Sequence, residues 1–226
     1  ARIRHVLISS KDYLIAQLTG ECVGDVAACS TAGAMNIRNG QWDAELCEVA
    51  EIDMTILPHL HNPQDNIGTV TESAAQRTGF SAGTAVYAGI GDAGATTLAS
   101  GVSHPGQYNI NIGTSGWIAT VSPEPFTDKP GAANLAFGVE EGFVNAVPFL
   151  NAGDVHKWVT GVFSDGDYAE AHQLIETSKP GSNGVLCLPY LVGERFPVMN
   201  PNIRGAYVGL DPDTAKADMM LSLIHI

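Results

Sequence analysis

Apolar residues in this chain come in short runs, each closed by glycine, proline or a polar cluster, and that pattern limits what it can fold into. The runs TAVYAGI (84–90), QYNINI (107–112), GWIATV (116–121) and GVLCLPYL (184–191) have the length of strands and fall far short of the ~20 residues that cross a bilayer. Helical spacing fills much of the chain between them. SKDYLIAQLT (10–19) places Tyr13, Leu14, Gln17 and Leu18 near one face and stops at Gly20. QWDAELCEVAEI (41–52) predicts a helix with Trp42, Leu46, Val49 and Ile52 on its buried side. A short strand from Asn66 leads to a helix entered at Thr71-x-x-Ala74 and ended at Gly79, and further helices are expected over 92–99, 152–162 and 168–177. TAVYAGI and GVLCLPYL read as buried strands, and GWIATV pairs with QYNINI across the tight sequence Gly113-Thr114-Ser115-Gly116. Strands alternating with helices indicate an α/β architecture, and the turn His104-Pro105-Gly106 divides it into residues 1–103 and 104–226.

Composition narrows the partners. Lys and Arg number 11 against 24 Asp and Glu, a net charge of -13 that repels a phosphate backbone, so nucleic acid is not expected. No membrane partner is expected either, because the N-terminus lacks a charged-then-apolar signal pattern, and the predicted location is cytoplasmic. Cys22, Cys29, Cys47 and Cys187 show no C-x-x-C spacing and read as reduced, structural thiols.

Asp92 follows an apolar strand at the first turn of a predicted helix, among Gly89, Gly91 and Gly94. Such a carboxylate can accept a proton from a hydroxyl that attacks a phosphoryl group, or it can simply cap the helix. The same stretch spells G-x-G-x-x-G. A dinucleotide reading is disfavoured, since Asp92 would face the pyrophosphate and the acidic residue wanted about 20 positions on is missing. Gly113-Thr114-Ser115-Gly116 offers close-set N–H groups and two hydroxyls, which suits either a phosphate cradle or an ordinary hairpin turn.

These features occur in an order that resembles the FGGY carbohydrate kinases. Ser10-Lys11-Asp12-Tyr13-Leu14, Leu18-Thr19-Gly20, Trp42-Asp43, Leu57-Pro58, Gly68 and Thr78-Gly79 resemble the later part of that family's N-terminal domain. Gly91-Asp92 resembles its catalytic end, and Ile112 to Gly116 its ATP phosphate loop. Leu188-Pro189-Tyr190-Leu191, Gly193-Glu194-Arg195, Pro197, Arg204-Gly205 and Gly209-Leu210 resemble its C-terminal signature.

The resemblance implies two actin-like ATPase domains of the ribonuclease H-like kind, both incomplete here, with 1–103 from the sugar-binding domain and 104–226 from the ATP-binding domain. It implies a phosphotransferase using ATP and Mg²⁺ on a sugar hydroxyl, with Asp92 as general base and substrate contact. Gly113, Thr114, Ser115, Gly116, Gly153 and Lys157 are implied at the nucleotide, and Glu194 and Arg195 are expected to form an ion pair fixing a loop. A xylulokinase-like activity is expected. In xylulokinases, however, an Asn usually follows the catalytic Asp, where this chain has Ala93, so gluconate and other sugars or polyols stay open. A non-catalytic homologue is the second reading and a nicotinamide enzyme the third. The partner is a small sugar, and a homodimer is left open. The family's first phosphate loop and adenosine loop fall outside the 226 residues, so the chain alone is expected to be inactive, and its LSLIHI end is expected to be a truncation artefact.

Overall fold

The computed structural model describes residues 3–224 as a mixed α/β molecule of two compact units. Of the described residues, one unit comprises 3–109, 119–128 and 133–146, and the other 110–118, 129–132 and 147–224.

The first unit opens with α1 (Ser10–Thr19). Ser9 Oγ accepts the Asp12 N–H at 3.2 Å while Asp12 Oδ2 accepts the Ser9 N–H at 3.0 Å, satisfying two donors that the helix itself cannot. Gly20 ends the helix with a left-handed φ of 88°. The expected apolar face needs correction: α1 turns Asp12 and Ile15 inward and leaves Tyr13 and Leu14 exposed. Asp12 is drawn inward because its carboxylate closes the cap and pairs with Lys11.

Strand β1 (Val23–Asp25) leads into the single-turn α2 (Val26–Cys29), where Asp25 Oδ1 accepts the N–H groups of Ala27 and Ala28, each at 3.0 Å. The short antiparallel pair β2 (Met35–Asn36) and β3 (Gln41–Trp42) precedes α3 (Ala44–Val49). The predicted 41–52 helix is therefore shorter than its spacing suggested. Asp43 caps it late, Trp42 belongs to a strand, and Cys47 is buried while Leu46 and Val49 face out. β4 (His59–His61) runs parallel to β1, and Val26, Cys29, Met35 and Ala136 form the local core with Ile8, Ile37, Trp42 and Leu60.

β5 (Asn66–Thr69) leads to α4 (Glu72–Thr78), capped by Thr71 and closed by Gly79 as the sequence indicates. β6 (Ala85–Tyr87) pairs antiparallel with β5. It is not the buried strand expected, for Ala85 and Tyr87 are exposed and only Ala88 beyond them is fully enclosed. A strand in a two-membered pair is shielded on fewer sides than a central one. α5 (Asp92–Ala99) follows. β7 (Tyr108–Ile112), β8 (Gly116–Ser122), β9 (Ala133–Ala136) and β10 (Phe143–Phe149) make a sheet in the order β7-β8-β10-β9, with β9 and β10 antiparallel from Phe143↔Ala136 to Ala146↔Ala133.

In the second unit, α6 (Gly153–Phe163), α7 (Tyr168–Thr177) and α8 (Lys216–Leu221) bury Val155, Val159, Ala171 and Met220 together. β11 (Leu186–Leu188) and β12 (Ala206–Val208) form an antiparallel pair. GVLCLPYL is corrected in the same sense as β6: only three residues are strand, with Cys187 inside and Leu186 and Leu188 outside. Leu221 and Ser222 of the LSLIHI end are buried, and its His225 and Ile226 lie outside the described residues. All four cysteines are free, three of them buried. Among the described residues, no helix is long and apolar enough to cross a membrane.

The Glu194–Arg195 ion pair is not formed. Glu194 is buried and its carboxylate accepts the N–H groups of Leu150 at 2.8 Å and Arg195 at 2.7 Å, with the Asn151 amide at 2.9 Å. Asn151 in turn donates to Gly193 O and accepts the Leu191 N–H. Backbone donors are closer and rigid, so they take the carboxylate and leave the Arg195 side chain in solvent. Gly193 is required at this corner, with φ +84° and Pro201 O only 2.6 Å from where a Cβ would stand.

Burial pushes the Glu194 carboxyl up, but the Asn151 amide and the backbone N–H groups outweigh it and hold the group below its ordinary 4.5. Its stabilisation is thus present above 4.5 and lost as pH falls through the depressed folded value. Glu194→Gln should destabilise by about 1–3 kcal/mol at neutral pH, because an NH₂ would face N–H donors. Thermal melts from neutral pH downward check this: the gap between the proteins should close as pH falls below that range, and a constant gap would count against the carboxylate's role.

Candidate functional site

Asp92 opens α5 without capping it. The cap position belongs to Gly91, which makes no side-chain hydrogen bond, and among the described residues Asp92 Oδ1 accepts only the neighbouring Ala93 N–H, at 2.9 Å. The exposed carboxylate lines a cavity of about 630 Å³ whose walls include Ser9, Lys11, Thr31, Ile90 and Leu135. Small residues bring the backbone close there. A Cβ on Gly91 would lie 3.3 Å from Ala28 Cβ, and one on Gly94 would lie 2.4 Å from Ile90 Cδ1. The first turn of α5 therefore sits directly on α2.

Beside Asp92 in the cavity wall stands Lys11, which the reading of chemistry-bearing residues passed over. Its Nζ donates to Asp12 Oδ1 at 2.7 Å and to Ala88 O at 2.8 Å, and faces Asp25 Oδ2 at 3.0 Å. Both carboxylates have no solvent exposure. Burial pulls the Lys11 ammonium down, but the bonds and charges of Asp12 and Asp25 outweigh this and hold it above its ordinary 10.5. The ion pairing is thus intact throughout the neutral range. The one sequence signal was Ser9-x-x-Asp12, a helix start with a charged pair inside it. Asp25's part has no local signature, since it depends on β1 lying within reach of α1.

In the second unit the structure brings together Gly113, Thr114 and Gly153. The Gly153 N–H donates to Gly113 O at 2.8 Å and the Asp154 N–H to Thr114 O at 3.3 Å. The two loop carbonyls are thereby turned to the start of α6, while the N–H groups of Thr114 and Ser115 have no protein acceptor among the described residues. Exposed N–H groups next to a helix N-terminus have the polarity an anionic phosphate requires. Gly116, by contrast, is buried, with Phe149 against it. Lys157 lies exposed on the second turn of α6. Asp92 belongs to the other unit.

A Cβ on Gly153 would stand 2.5 Å from Gly113 O, an approach to backbone that cannot be relieved by a side-chain rotation. Gly153→Ala should therefore cost about 1–3 kcal/mol, whereas Gly161→Ala, with open space around it in the same helix, should gain about 0.5–1 kcal/mol. Urea unfolding of the two variants tests the contact, and equal effects would remove it.

Comparison with known proteins identifies the family. The sequence model described as "FGGY family of carbohydrate kinases, N-terminal domain" matches residues 1–99, and the corresponding C-terminal domain model matches residues 108–225. Gluconokinase of Bacillus subtilis is 30% identical over 229 residues, covering 96% of this chain and 45% of that protein. A xylulose kinase of Staphylococcus epidermidis is 32% identical over 223 residues, covering 97% and 45%. The crystal structure of gluconate kinase from Lactobacillus acidophilus superposes with a TM-score of 0.88 at 27% identity, covering 95% of this chain and 44% of that one. The chain spans less than half the length of these relatives, and its two α/β units have the ribonuclease H-like, actin-like ATPase fold of the solved kinases. It is a member of the FGGY family of carbohydrate kinases, with sequence from both of the family's domains.

Proposed function

We propose that the protein carrying this chain is an ATP-dependent sugar kinase in which Asp92 accepts the proton of the sugar hydroxyl that attacks the γ-phosphoryl group. The observation that carries this reading is the Asp92 carboxylate, which among the described residues is bound only by the Ala93 N–H and opens to a cavity of mixed polar and apolar lining large enough for a monosaccharide. Residues 1–103 form the sugar side and residues 104–226 the nucleotide side in this reading.

The loop from Gly113 to Gly116 holds the phosphates of ATP through the free N–H groups of Thr114 and Ser115 and the Thr114 hydroxyl. Gly153 supports the loop by keeping α6 within bonding distance of Gly113, and Lys157 supplies a positive charge along the same helix. Mg²⁺ arriving with the nucleotide would neutralise phosphate charge. Among the described residues there is no group of three or more His, Cys, Asp or Glu that could hold a metal ion.

A pentulose of the xylulose type is the first substrate expected. Gluconate is the alternative, favoured by Ala93, whose small side chain leaves the floor of the cavity uncommitted. In full-length protein Asp92→Asn should lower turnover by about 100-fold to 10,000-fold while the melting temperature stays near the parent value. A coupled ADP-release assay with xylulose and gluconate measures this, and normal turnover in the variant would refute the base assignment. Thr114→Val should weaken ATP more than sugar, as titration calorimetry with each ligand can read. Weakened sugar with unchanged ATP would reverse the placement of the loop.

A further inference from the structure

We propose that Lys11 is a positioning residue for phosphoryl transfer, holding the turn at Ala88–Gly89 from which Asp92 is presented to the cavity. The inference rests on the reading of Asp92 as base and adds the device that aims it. Lys11 Nζ donates to Asp12 Oδ1 and to Ala88 O, and its charge faces Asp25 Oδ2 at 3.0 Å. Although Lys11 lines the cavity, its ammonium is thereby committed to the protein's own acceptors and charges.

The contact with Ala88 O is the one that reaches toward Asp92. Ala88 is fully buried, and its N–H donates to Asp65 O at 3.0 Å, while the Gly89 N–H donates to Pro63 O at 2.9 Å. Lys11 therefore takes the remaining carbonyl of a peptide segment already held by its amides. The aliphatic stem adds a steric stop. A Cβ on Gly89 would lie 3.3 Å from Lys11 Cδ, and Gly89 has φ +67°, so the chain bends around the stem immediately before Ile90, Gly91 and Asp92.

Lys11 is itself fixed by the starts of two helices. Asp12 closes the α1 cap and Asp25 the α2 cap with their other oxygens, so neither carboxylate can swing away without freeing backbone N–H groups. The order of Asp92 is thus set by a chain of short contacts from α1 and α2 through the ammonium to one carbonyl. Misplacing a reacting group by about 1 Å costs on the order of 100-fold in rate.

The test uses full-length protein and the double variant Lys11→Met with Asp25→Asn. Met keeps most of the stem, and Asn keeps a cap for Ala27 and Ala28 while removing one of the two buried negative charges. The variant should melt cooperatively, lose about 100-fold in kcat and keep its KM for ATP within about twofold. Asp92→Asn is assayed beside it. If Asp92→Asn is inactive while the folded double variant keeps parental kcat, the Lys11 inference fails and the base reading stands. If Asp92→Asn turns over normally, the base reading fails, and the aiming role falls with it. A loss expressed chiefly as a raised KM for ATP also overturns the inference. Should the double variant not melt cooperatively, Gly89→Ala carries the test, because its added Cβ pushes the same turn against the Lys11 stem. It should lower kcat with KM for ATP unchanged, and parental kcat there is likewise a refutation.

Discussion

Two carboxylates without solvent exposure share one ammonium in the first unit, and much else there depends on that arrangement. An unpaired buried charge is among the costliest features a fold can hold, and here Lys11 stands between the two carboxylates. Both carboxylates also receive backbone N–H bonds. Each carboxylate therefore serves two ends at once, a helix start and an ion pair. Removing the lysine would strip support from α1, α2 and the Ala88 carbonyl together. The cluster also explains why Cys29 is chemically quiet: burial first, then the charges of Asp12 and Asp25, push its thiol up to about 12.

The second unit solves a similar problem without a cation. Glu194 is held by amide and backbone donors, and Asn151 ties that carboxylate to Gly193 and Leu191. Hydrogen bonds from dipoles in fixed positions suffice for one carboxylate, whereas two adjacent ones need a full positive charge. At α8, Asp218 follows the same pattern, with the Ser178 hydroxyl and the Ala215 N–H holding its carboxyl below the usual range.

Local chemistry was legible in the sequence wherever it was sufficient. Ser10 to Thr19, Thr71 to Gly79, the helix at Asp92 and Tyr168 to Thr177 were readable because caps and glycine stops are encoded by neighbours. Burial was read less well. Tyr13, Leu14, Leu46, Val49 and Tyr87 are apolar or aromatic yet exposed, since which face turns inward depends on partners distant in sequence. Asp92 stood out through its flanking glycines, and the loop from Gly113 to Gly116 through its composition. Lys11 did not, because its meaning comes from Asp25 and Ala88, which are brought to it only by the packing of β1 and the turn after β6. The Glu194 network was misread for the same reason, as two adjacent opposite charges suggest each other while the side chain's actual partners are the Arg195 backbone N–H and the distant Leu150 and Asn151.

The seam where α5 meets α2 is made of Gly91, Gly94, Ala27 and Ala28, with main chain nearly touching across it. A wall of that kind has no side chains to trim or exchange. A Cβ added at Gly91 would meet Ala28 and one at Gly94 would meet Ile90, so sterics hold the shape of the cavity beside Asp92. Diversity in the ligand accepted must then arise at other positions that line the cavity, such as Thr31 and Ala93. If Asp92 is the base, as proposed, its geometry is in this way insulated from substitutions at the positions that meet the ligand.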